Sequence, residues 1–584
     1  MRRTKIVCTL GPATDNINVL RKLMENGMNV ARLNFSHGTY EEQQKRIDNF
    51  KKIRNELKLP VALLLDTKGP EIRIGNFKDK SVELKEGQRF TLTTREVEGN
   101  NEIVSVSYQG LHNDVFRGNR ILIDDGLIEL VVEEVNGRDI VCTVKNGGKI
   151  SNHKGVNVPG VAIKMPYLSK KDEEDILFGI KNDFDFVAAS FVRTAYDVLE
   201  IKKLLEKNGG NDMQIIAKIE NREGVDNIDD IIKISDGIMI ARGDMGVEIP
   251  LEELPVIQKM LIEKCYKAGK KVITATQMLD SMIRNPRPTR AETTDVANAI
   301  YDGTSAIMLS GETAVGKYPL ESLITMARIA ERTENSIDYK KRFALSQFNL
   351  VPNVTNAISH ATCTTAHDLG AAAIISVTKT GYTARMVSKF RPDCPIIATT
   401  VSEKVYRQLA LSWGVYPMLS ELKETTDELF EEAVDRALES GIVKNGDLVV
   451  ITAGIPVGIS GTTNILKVHL VGHVLVEGIG INNLSVSGNL CVAKSEEEAL
   501  REFNDGDILV IHSTTNSLLP ILKKASGIIT EEGGVTSHAA VVGLTLDIPV
   551  ITGAKGATKI LRSGTTVTID SSRGLVYSGV AKVL

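Results

Sequence analysis

The stretch Ile215-Ile-Ala-Lys-Ile-Glu-Asn-Arg-Glu-Gly224, followed by Ala241-Arg-Gly-Asp-Met-Gly-Val-Glu248, places Lys218, Glu220 and Asp244 at the ends of two successive apolar runs. Residues two apart on a strand point to the same side, so Lys218 and Glu220 share a face. Both runs are almost continuously apolar, as parallel strands buried on two faces are, which argues against a surface Lys–Glu pair. A strongly hydrated divalent cation such as magnesium takes a few carboxylate oxygens and otherwise water and substrate oxygens. A lysine beside it can neutralise charge developing on a transferring phosphoryl group.

Working outward, similar short β-branched runs occur at 4–10, 28–33, 61–66, 185–190, 214–219, 236–241, 271–275 and 305–309, with helical patterns such as 41–57, 195–207, 252–268 and 319–334 among them. Eight strands alternating with helices predict an α/β chain built on a closed (β/α)₈ TIM barrel rather than an open doubly wound sheet. The alternation is interrupted once. From 70 to 164 the chain is rich in Val, Ile, Gly and Thr with period-two alternation, which predicts an inserted all-β barrel placed as a lid over the catalytic end. The catalytic barrel is thus expected over 1–69 and 165–345. A second strand–helix alternation over 346–471 (strands at 372–377, 396–399, 415–417 and 447–452) predicts a three-layer α/β domain. Residues 472–584, after an edge strand expected at 465–470, read as a fourth compact domain.

Length supports this count, since 584 residues exceed what one hydrophobic core usually spans. Apolar content of 42% and charged content of 25% are those of a globular chain, and 70 basic against 74 acidic residues give a formal charge of −4. That balance argues against nucleic acid or a membrane surface as partner. The six cysteines are scattered and form no CxxC pair, which fits a reducing compartment and not a zinc site. Met1-Arg-Arg-Thr-Lys-Ile-Val lacks the apolar stretch of a signal peptide, so the expected location is cytoplasmic.

Active sites of (β/α)₈ barrels sit at the C-terminal ends of the strands. Here those ends carry Arg32, Asn34, Ser36 and His37; Asp66, Thr67 and Lys68; Ser190; Lys218 and Glu220; Arg242, Gly243 and Asp244; Thr276 and Gln277; and Ser310 and Glu312. Arg32 and Arg73 are fork-shaped cations suited to phosphate. Glu220 and Asp244 can hold a divalent ion, and Gly243 lets backbone N–H groups approach an anion at a helix start. Asn34, Ser36, Asp66 and Thr67 form an oxygen-only group with one formal charge, poor for magnesium and suited to a monovalent cation. Gly311-Glu-Thr-Ala-Val-Gly-Lys317 fits seven positions of a phosphate-binding P-loop, but Tyr318 stands where the metal-binding hydroxyl belongs. His37 also admits a plain turn role.

Together these motifs resemble pyruvate kinases over roughly residues 1–470: Ala31-Arg-Leu-Asn-Phe-Ser-His-Gly38, Leu65-Asp-Thr-Lys-Gly-Pro-Glu-Ile-Arg73, Lys154-Gly-Val-Asn-Val-Pro-Gly160, Ile216-Ala-Lys-Ile-Glu-Asn221, Arg242-Gly-Asp-Met-Gly-Val-Glu248, Ala275-Thr-Gln-Met278 and Met308-Leu-Ser-Gly-Glu-Thr313. The resemblance implies phosphoryl transfer from phosphoenolpyruvate to ADP, giving pyruvate and ATP. It implies that Lys218 stabilises the transition state and that Glu220 and Asp244 bind Mg²⁺ or Mn²⁺. Arg32, Lys218, Gly243, Asp244 and Thr276 would contact substrate, with enolate protonation near Thr276. Asn34, Ser36, Asp66 and Thr67 would bind K⁺, while Asn34, His37, Arg73 and Lys154 would face the nucleotide. In this family a glutamate at the Glu71 position accompanies K⁺ dependence. The family also implies a homotetramer.

Thr378-Lys379-Thr380-Gly381-Tyr382-Thr383 follows a strand and opens a helix, and similar loops in the family bind a sugar phosphate; here a nucleoside monophosphate is an equal expectation for the allosteric effector. The last domain, with Glu531-Glu-Gly-Gly-Val-Thr-Ser-His-Ala-Ala-Val-Val542, resembles the swivelling phosphohistidine domain of phosphoenolpyruvate-utilising enzymes, and His538 matches the histidine that carries phosphate there. The usual Ala-Arg pair is replaced by Gly543-Leu544, Asp547 stands before Ile548-Pro549 where glycine is usual, and no nucleotide domain to phosphorylate His538 is evident. A structural or interface role is therefore expected for this domain. Two competing classes are a phosphohistidine transferase using the same substrate and a barrel that senses metabolites without turnover; intact Lys218, Glu220, Asp244 and Thr276 argue against the second.

Overall fold

The computed structural model describes residues 1–345, 352–454, 463–472 and 474–581. Contact density divides the chain into two compact units, the first comprising 1–350 with 384–391 and 402–417, the second the remainder.

The first unit holds a closed barrel of eight parallel strands: β1 (Lys5–Thr9), β2 (Val30–Asn34), β3 (Ala62–Asp66), β4 (Phe186–Ala189), β5 (Gln214–Ile219), β6 (Gly237–Ala241), β7 (Lys271–Ala275) and β8 (Ala306–Leu309). Each pairs with its sequence neighbour and β8 closes on β1. Two apolar layers explain why the strands read as continuous runs. Val7, Val30, Leu64, Phe186, Ile216, Met239, Ile273 and Met308 fill the interior, while Ile215, Ala217, Ile219 and their equivalents pack outward under the helices. Side-chain alternation then fixes what faces the axis at the strand ends. Arg32 follows Val30, Asp66 follows Leu64, Ser190 follows Ala188, and Lys218 follows Ile216, each two positions on and on the same side.

Helices 40–57, 170–181, 195–207, 254–268, 290–302 and 319–334 cover the barrel. Several start with a reciprocal cap, such as Thr289 with Glu292, that satisfies backbone N–H groups no helix turn can reach. Between β3 and β4 lies the all-β insertion, a seven-stranded sheet and a two-stranded ribbon around their own core. The sheet's edge strands, Ile72–Arg73 and Ile103–Ser105, are bridged at Ile74 and Val106, so it closes on itself. The all-β insertion and the eight-stranded barrel expected from the sequence are both present.

In the second unit Ile396–Thr400, Ala373–Val377 and Leu448–Ala453 run parallel, and Ile465–Leu470 adds an antiparallel edge. The C-terminal segment forms a mixed eight-stranded sheet. In it Ser485–Val492, Ile508–Ile511, Gly527–Thr530 and Val550–Thr552 are consecutive parallel neighbours. No helix among the described residues is long and apolar enough to cross a membrane. No disulfide joins any of the six cysteines, and all but Cys394 are buried.

Candidate active site

Lys218 is 8% exposed, and its ammonium group reaches three partners: Ser190 Oγ at 2.7 Å, Glu220 Oε1 at 3.0 Å and Asp66 Oδ1 at 3.1 Å. Asp66 also accepts a hydrogen bond of 2.5 Å from Arg32 Nε, and Arg32 Nη1 donates to Thr9 Oγ1 at 3.0 Å. Burial alone would drive these groups neutral. The arrangement prevents it. Burial pushes the Asp66 carboxyl up, but Arg32 and Lys218 outweigh it and hold the group below its usual range. Lys218 is held above its usual range because Asp66 and Glu220 outweigh its own burial.

Glu220 is different. Burial pushes it up to about 8 against the pull of Lys218, and Asp244 adds repulsion. Its Oε2 accepts the Phe191 N–H at 2.5 Å, while Oε1, fully shielded from solvent, is ion-paired with Lys218 Nζ at 3.0 Å but makes no hydrogen bond of good geometry. A buried carboxylate that one ion pair leaves raised towards its neutral form, with a second carboxylate repelling it, is the environment that a small divalent cation relieves. Glu220 and Asp244 therefore fit such an ion. Among the described residues no group of three or more His, Cys, Asp or Glu could hold a metal. Water and substrate oxygens would have to complete the shell, as magnesium prefers.

Asp244 lies in the first turn of a short helix, 242–248, that starts where β6 ends. Gly243, next to it, donates its N–H to Thr276 Oγ1 at 2.7 Å, and that hydroxyl donates to the Ala275 carbonyl at 2.6 Å. The Gly243 N–H that the sequence reading aimed at an anion is thus occupied by Thr276 here. A Cβ on Gly243 would stand 3.4 Å from the same hydroxyl, so a larger residue would crowd it. Thr276 and Gln277 hold left-handed backbones, with φ of 67° and 54°. Such a conformation is costly for a β-branched residue and persists only where its surroundings enforce it. Arg242 does so, donating to the Thr276 carbonyl at 2.8 Å while its other arm is fixed by Asp295 at 2.7 Å. Glu312 braces the neighbouring loop through the Leu279 and Ser310 N–H groups. The segment resembling a P-loop is thereby a carboxylate-anchored turn.

Two clefts meet at Asp244. One, of about 480 Å³, is lined by Glu71, Asp125, Asn157, Asn221 and Glu248 among others; the second, of about 830 Å³, by Asp125, Gly243, Thr276, Asp280 and Ser310. Sequence reasoning missed Asp125, which lines both and whose carboxyl is pushed up by burial and by Asp244 and Asp124. Its signal was Asp124-Asp-Gly126, which looks like ordinary hairpin-turn chemistry and is one, with both aspartates at positive φ. Ser190 and Arg242 were also absent from the residues singled out for roles, although each ends or follows a strand.

The other candidates fall as follows. Asn34 and Asp66 face each other across β2 and β3, but the Asn34 side chain accepts the Ser36 N–H at 3.0 Å, and Thr67 Oγ1 accepts the Ser190 N–H at 3.1 Å. Arg73 grips Glu71 with two hydrogen bonds of 2.8 and 3.1 Å, and Lys154 pairs with Asp124 at 2.8 Å. His37 is exposed. In the second unit Thr378 and Thr383 are buried, Lys379 and Thr380 exposed, Tyr382 half-buried, and Gly381 adopts φ 76° before the helix Tyr382–Ser388.

Residues 1–323 match the pyruvate kinase barrel domain and 356–469 the pyruvate kinase α/β domain. A pyruvate kinase of Sporosarcina psychrophila is 52% identical, and one of Geobacillus stearothermophilus 54% identical, each over the whole of both chains. The chain belongs to the pyruvate kinase family. The crystal structure of a pyruvate kinase from Cryptosporidium parvum, 41% identical, superposes with a TM-score of 0.77, covering 80% of this chain and 96% of that one. As a pyruvate kinase it is a phosphotransferase of glycolysis, with phosphoenolpyruvate and ADP as substrates.

Residues 503–574 match the mobile domain of phosphoenolpyruvate-utilising enzymes. His538 opens the helix 538–546; its Nδ1 is 2.9 Å from Thr514 Oγ1 and its Nε2 3.1 Å from Asn516 Oδ1. The two departures noted in the sequence have local causes. A Cβ on Gly543 would come within 2.0 Å of Val550, so the helix packs on its strand only with glycine there. Asp547 ends the helix in the left-handed conformation (φ 55°), where glycine is usual but Asp is tolerated.

Proposed function

We propose that Lys218, held by Asp66, Ser190 and Glu220 on the inner face of the barrel mouth, carries the phosphoryl transfer; this one shared ammonium is the observation that supports the reading best. The P–O bond of phosphoenolpyruvate breaks as a terminal oxygen of ADP bonds to phosphorus. Lys218 and Arg32 present positive charge to the transferring oxygens, at a place already paid for in folding energy. A divalent ion, Mg²⁺ or Mn²⁺, held by Glu220 and Asp244, supplies further neutralisation when bound. The enolate left behind takes a proton on the Thr276 side. Thr276 donates its own proton to the Ala275 carbonyl, so it positions water rather than acting as the acid. His37, Arg73 and Lys154 are assigned to the nucleotide side. A lactate-dehydrogenase-coupled assay with phosphoenolpyruvate, ADP, Mg²⁺ and K⁺ tests this, and absence of turnover refutes it.

The domain division proposed is 1–69 with 165–345, 70–164, 346–471 and 472–584; residue 346, the first of the third domain, lies outside the described residues. K⁺ is assigned to Asn34, Ser36, Asp66 and Thr67. Replacing K⁺ by a large organic cation is expected to lower turnover, and equal activity with either would contradict the assignment. For the allosteric effector, the loop 378–383 is proposed, with a sugar phosphate or nucleoside monophosphate as ligand. At sub-saturating phosphoenolpyruvate a panel of both classes should change the rate; no response to any counts against the loop. A homotetramer is proposed from family resemblance, to be read by sedimentation. The last domain is assigned a structural or regulatory role: deleting 473–584 should leave turnover in place, and its loss in a folded truncation would restore His538 as a candidate.

A further inference from the structure

Thr276 stands where the alternation of its own strand would not put it. β7 runs Lys271–Ala275, with Ile273 and Ala275 in the barrel interior and Val272 packed outward under the helices. Continued by one residue, the strand would send Thr276 outward with the parity of Val272, away from the barrel axis. Instead Thr276 and Gln277 turn to φ 67° and 54°. The Thr276 hydroxyl thereby reaches the wall of the larger cleft and accepts the Gly243 N–H at 2.7 Å.

Nothing in the Thr276 side chain favours that turn, because a β-branched residue is strained at positive φ. One guanidinium holds it from outside. Arg242 Nη2 donates to the Thr276 carbonyl at 2.8 Å and to Met278 Sδ at 2.9 Å, and Nε donates to the Ala275 carbonyl at 3.3 Å. Nη1 is anchored by Asp295 Oδ1 at 2.7 Å and by Gln258 Oε1 at 3.4 Å. Gln258 is itself held to Asp302 Oδ2 at 3.2 Å. Every nitrogen of the fork is engaged with protein, and its rigid plane grips successive carbonyls that a compact ammonium could not span. Arg242 fixes the Thr276 backbone while its chain neighbour Gly243 fixes the hydroxyl. The groups that hold Lys218 and Arg32 are others: Asp66, Ser190, Glu220 and Thr9.

We propose that Arg242, anchored by Asp295 and Gln258, is a positioning residue for the proton-transfer half of the reaction: it sets the Thr276 hydroxyl, and through it the water that protonates the enolate. This rests on the reading that the proton arrives on the Thr276 side. In that step the methylene carbon of the enolate forms a C–H bond as a water O–H bond breaks. The electron pair of the enolate oxygen closes the carbonyl of pyruvate, and solvent reprotonates the hydroxide. No bond to phosphorus changes, so loss of Arg242 slows this half more than the phosphoryl transfer carried by Lys218.

The two halves can be read separately. Exchange of the pyruvate methyl hydrogens in D₂O, followed by proton NMR with Mg²⁺, K⁺ and ATP present, runs the protonation step in reverse. A rapid-quench single turnover of phosphoenolpyruvate with ADP reads ATP formation. Arg242→Gln is expected to lower exchange by about 100-fold, the cost of a catalytic group misplaced by about 1 Å, with a much smaller loss in ATP formation. Arg242→Lys should restore only part of the exchange, since charge without the fork cannot hold both carbonyls. Asp295→Asn should show the same split at smaller amplitude, and it carries the test if Arg242→Gln fails to fold by circular dichroism. Equal losses in both halves, or undiminished exchange, in a folded variant would overturn the positioning role. Thr276→Val separates the two levels. Exchange kept in Thr276→Val refutes proton delivery on that side; exchange lost there but kept in Arg242→Gln and Asp295→Asn refutes the role of Arg242 alone.

Discussion

Lys218→Met is expected to lower turnover by about 10³-fold or more, while circular dichroism remains that of the folded protein. The ammonium is the single cation shared by Asp66, Glu220 and Ser190, so its loss removes charge stabilisation that develops only as the phosphoryl group moves. Methionine fills much of the same space, which limits cavity formation in the barrel interior. The carboxylates left behind lose a counter-charge, and the binding of a divalent ion should change less than turnover does. Lys218→Arg separates charge from geometry. A planar fork cannot occupy a site built for a compact ammonium, so at most partial recovery is expected. Wild-type-like turnover of Lys218→Met would remove the residue from its role.

Asp66→Asn should have the largest effect on stability. Asp66 is 1% exposed and is the carboxylate that both Arg32 and Lys218 share. Removing one partner from a buried charge group leaves the others uncompensated, at a cost of about 3 kcal/mol or more. Asparagine keeps the volume and one acceptor but not the charge, and its amide N–H₂ would face cations. The midpoint of the first chemical-unfolding transition should fall, and turnover with it, because both cations lose the group that aims them. An unchanged midpoint would show that Glu220 alone compensates Lys218. The first transition is the relevant readout, since a chain of two compact units need not unfold in one step.

How far the sequence went depends on the kind of information asked of it. Strand parity is local: with Ile216 inward, Lys218 must also be inward, and Arg32, Asp66 and Ser190 follow the same rule on their own strands. The barrel, its insertion and the polar strand ends were legible because continuous apolar runs, turn residues and 3.6-residue periodicity are written in neighbouring positions. The stretch at 311–317 departs from a P-loop for a local reason, the missing hydroxyl at Tyr318.

What the sequence left open requires distances between residues far apart in the chain. That Asp66 serves two cations, that Asp125 of the insertion enters both clefts beside Asp244, and that Arg242 enforces the strained Thr276 backbone are all consequences of closing β8 on β1 and folding the insertion over the mouth. Composition and spacing determined which residues could do chemistry. Burial, which sets the cost of each charge and therefore its partners, was decided only by the tertiary structure.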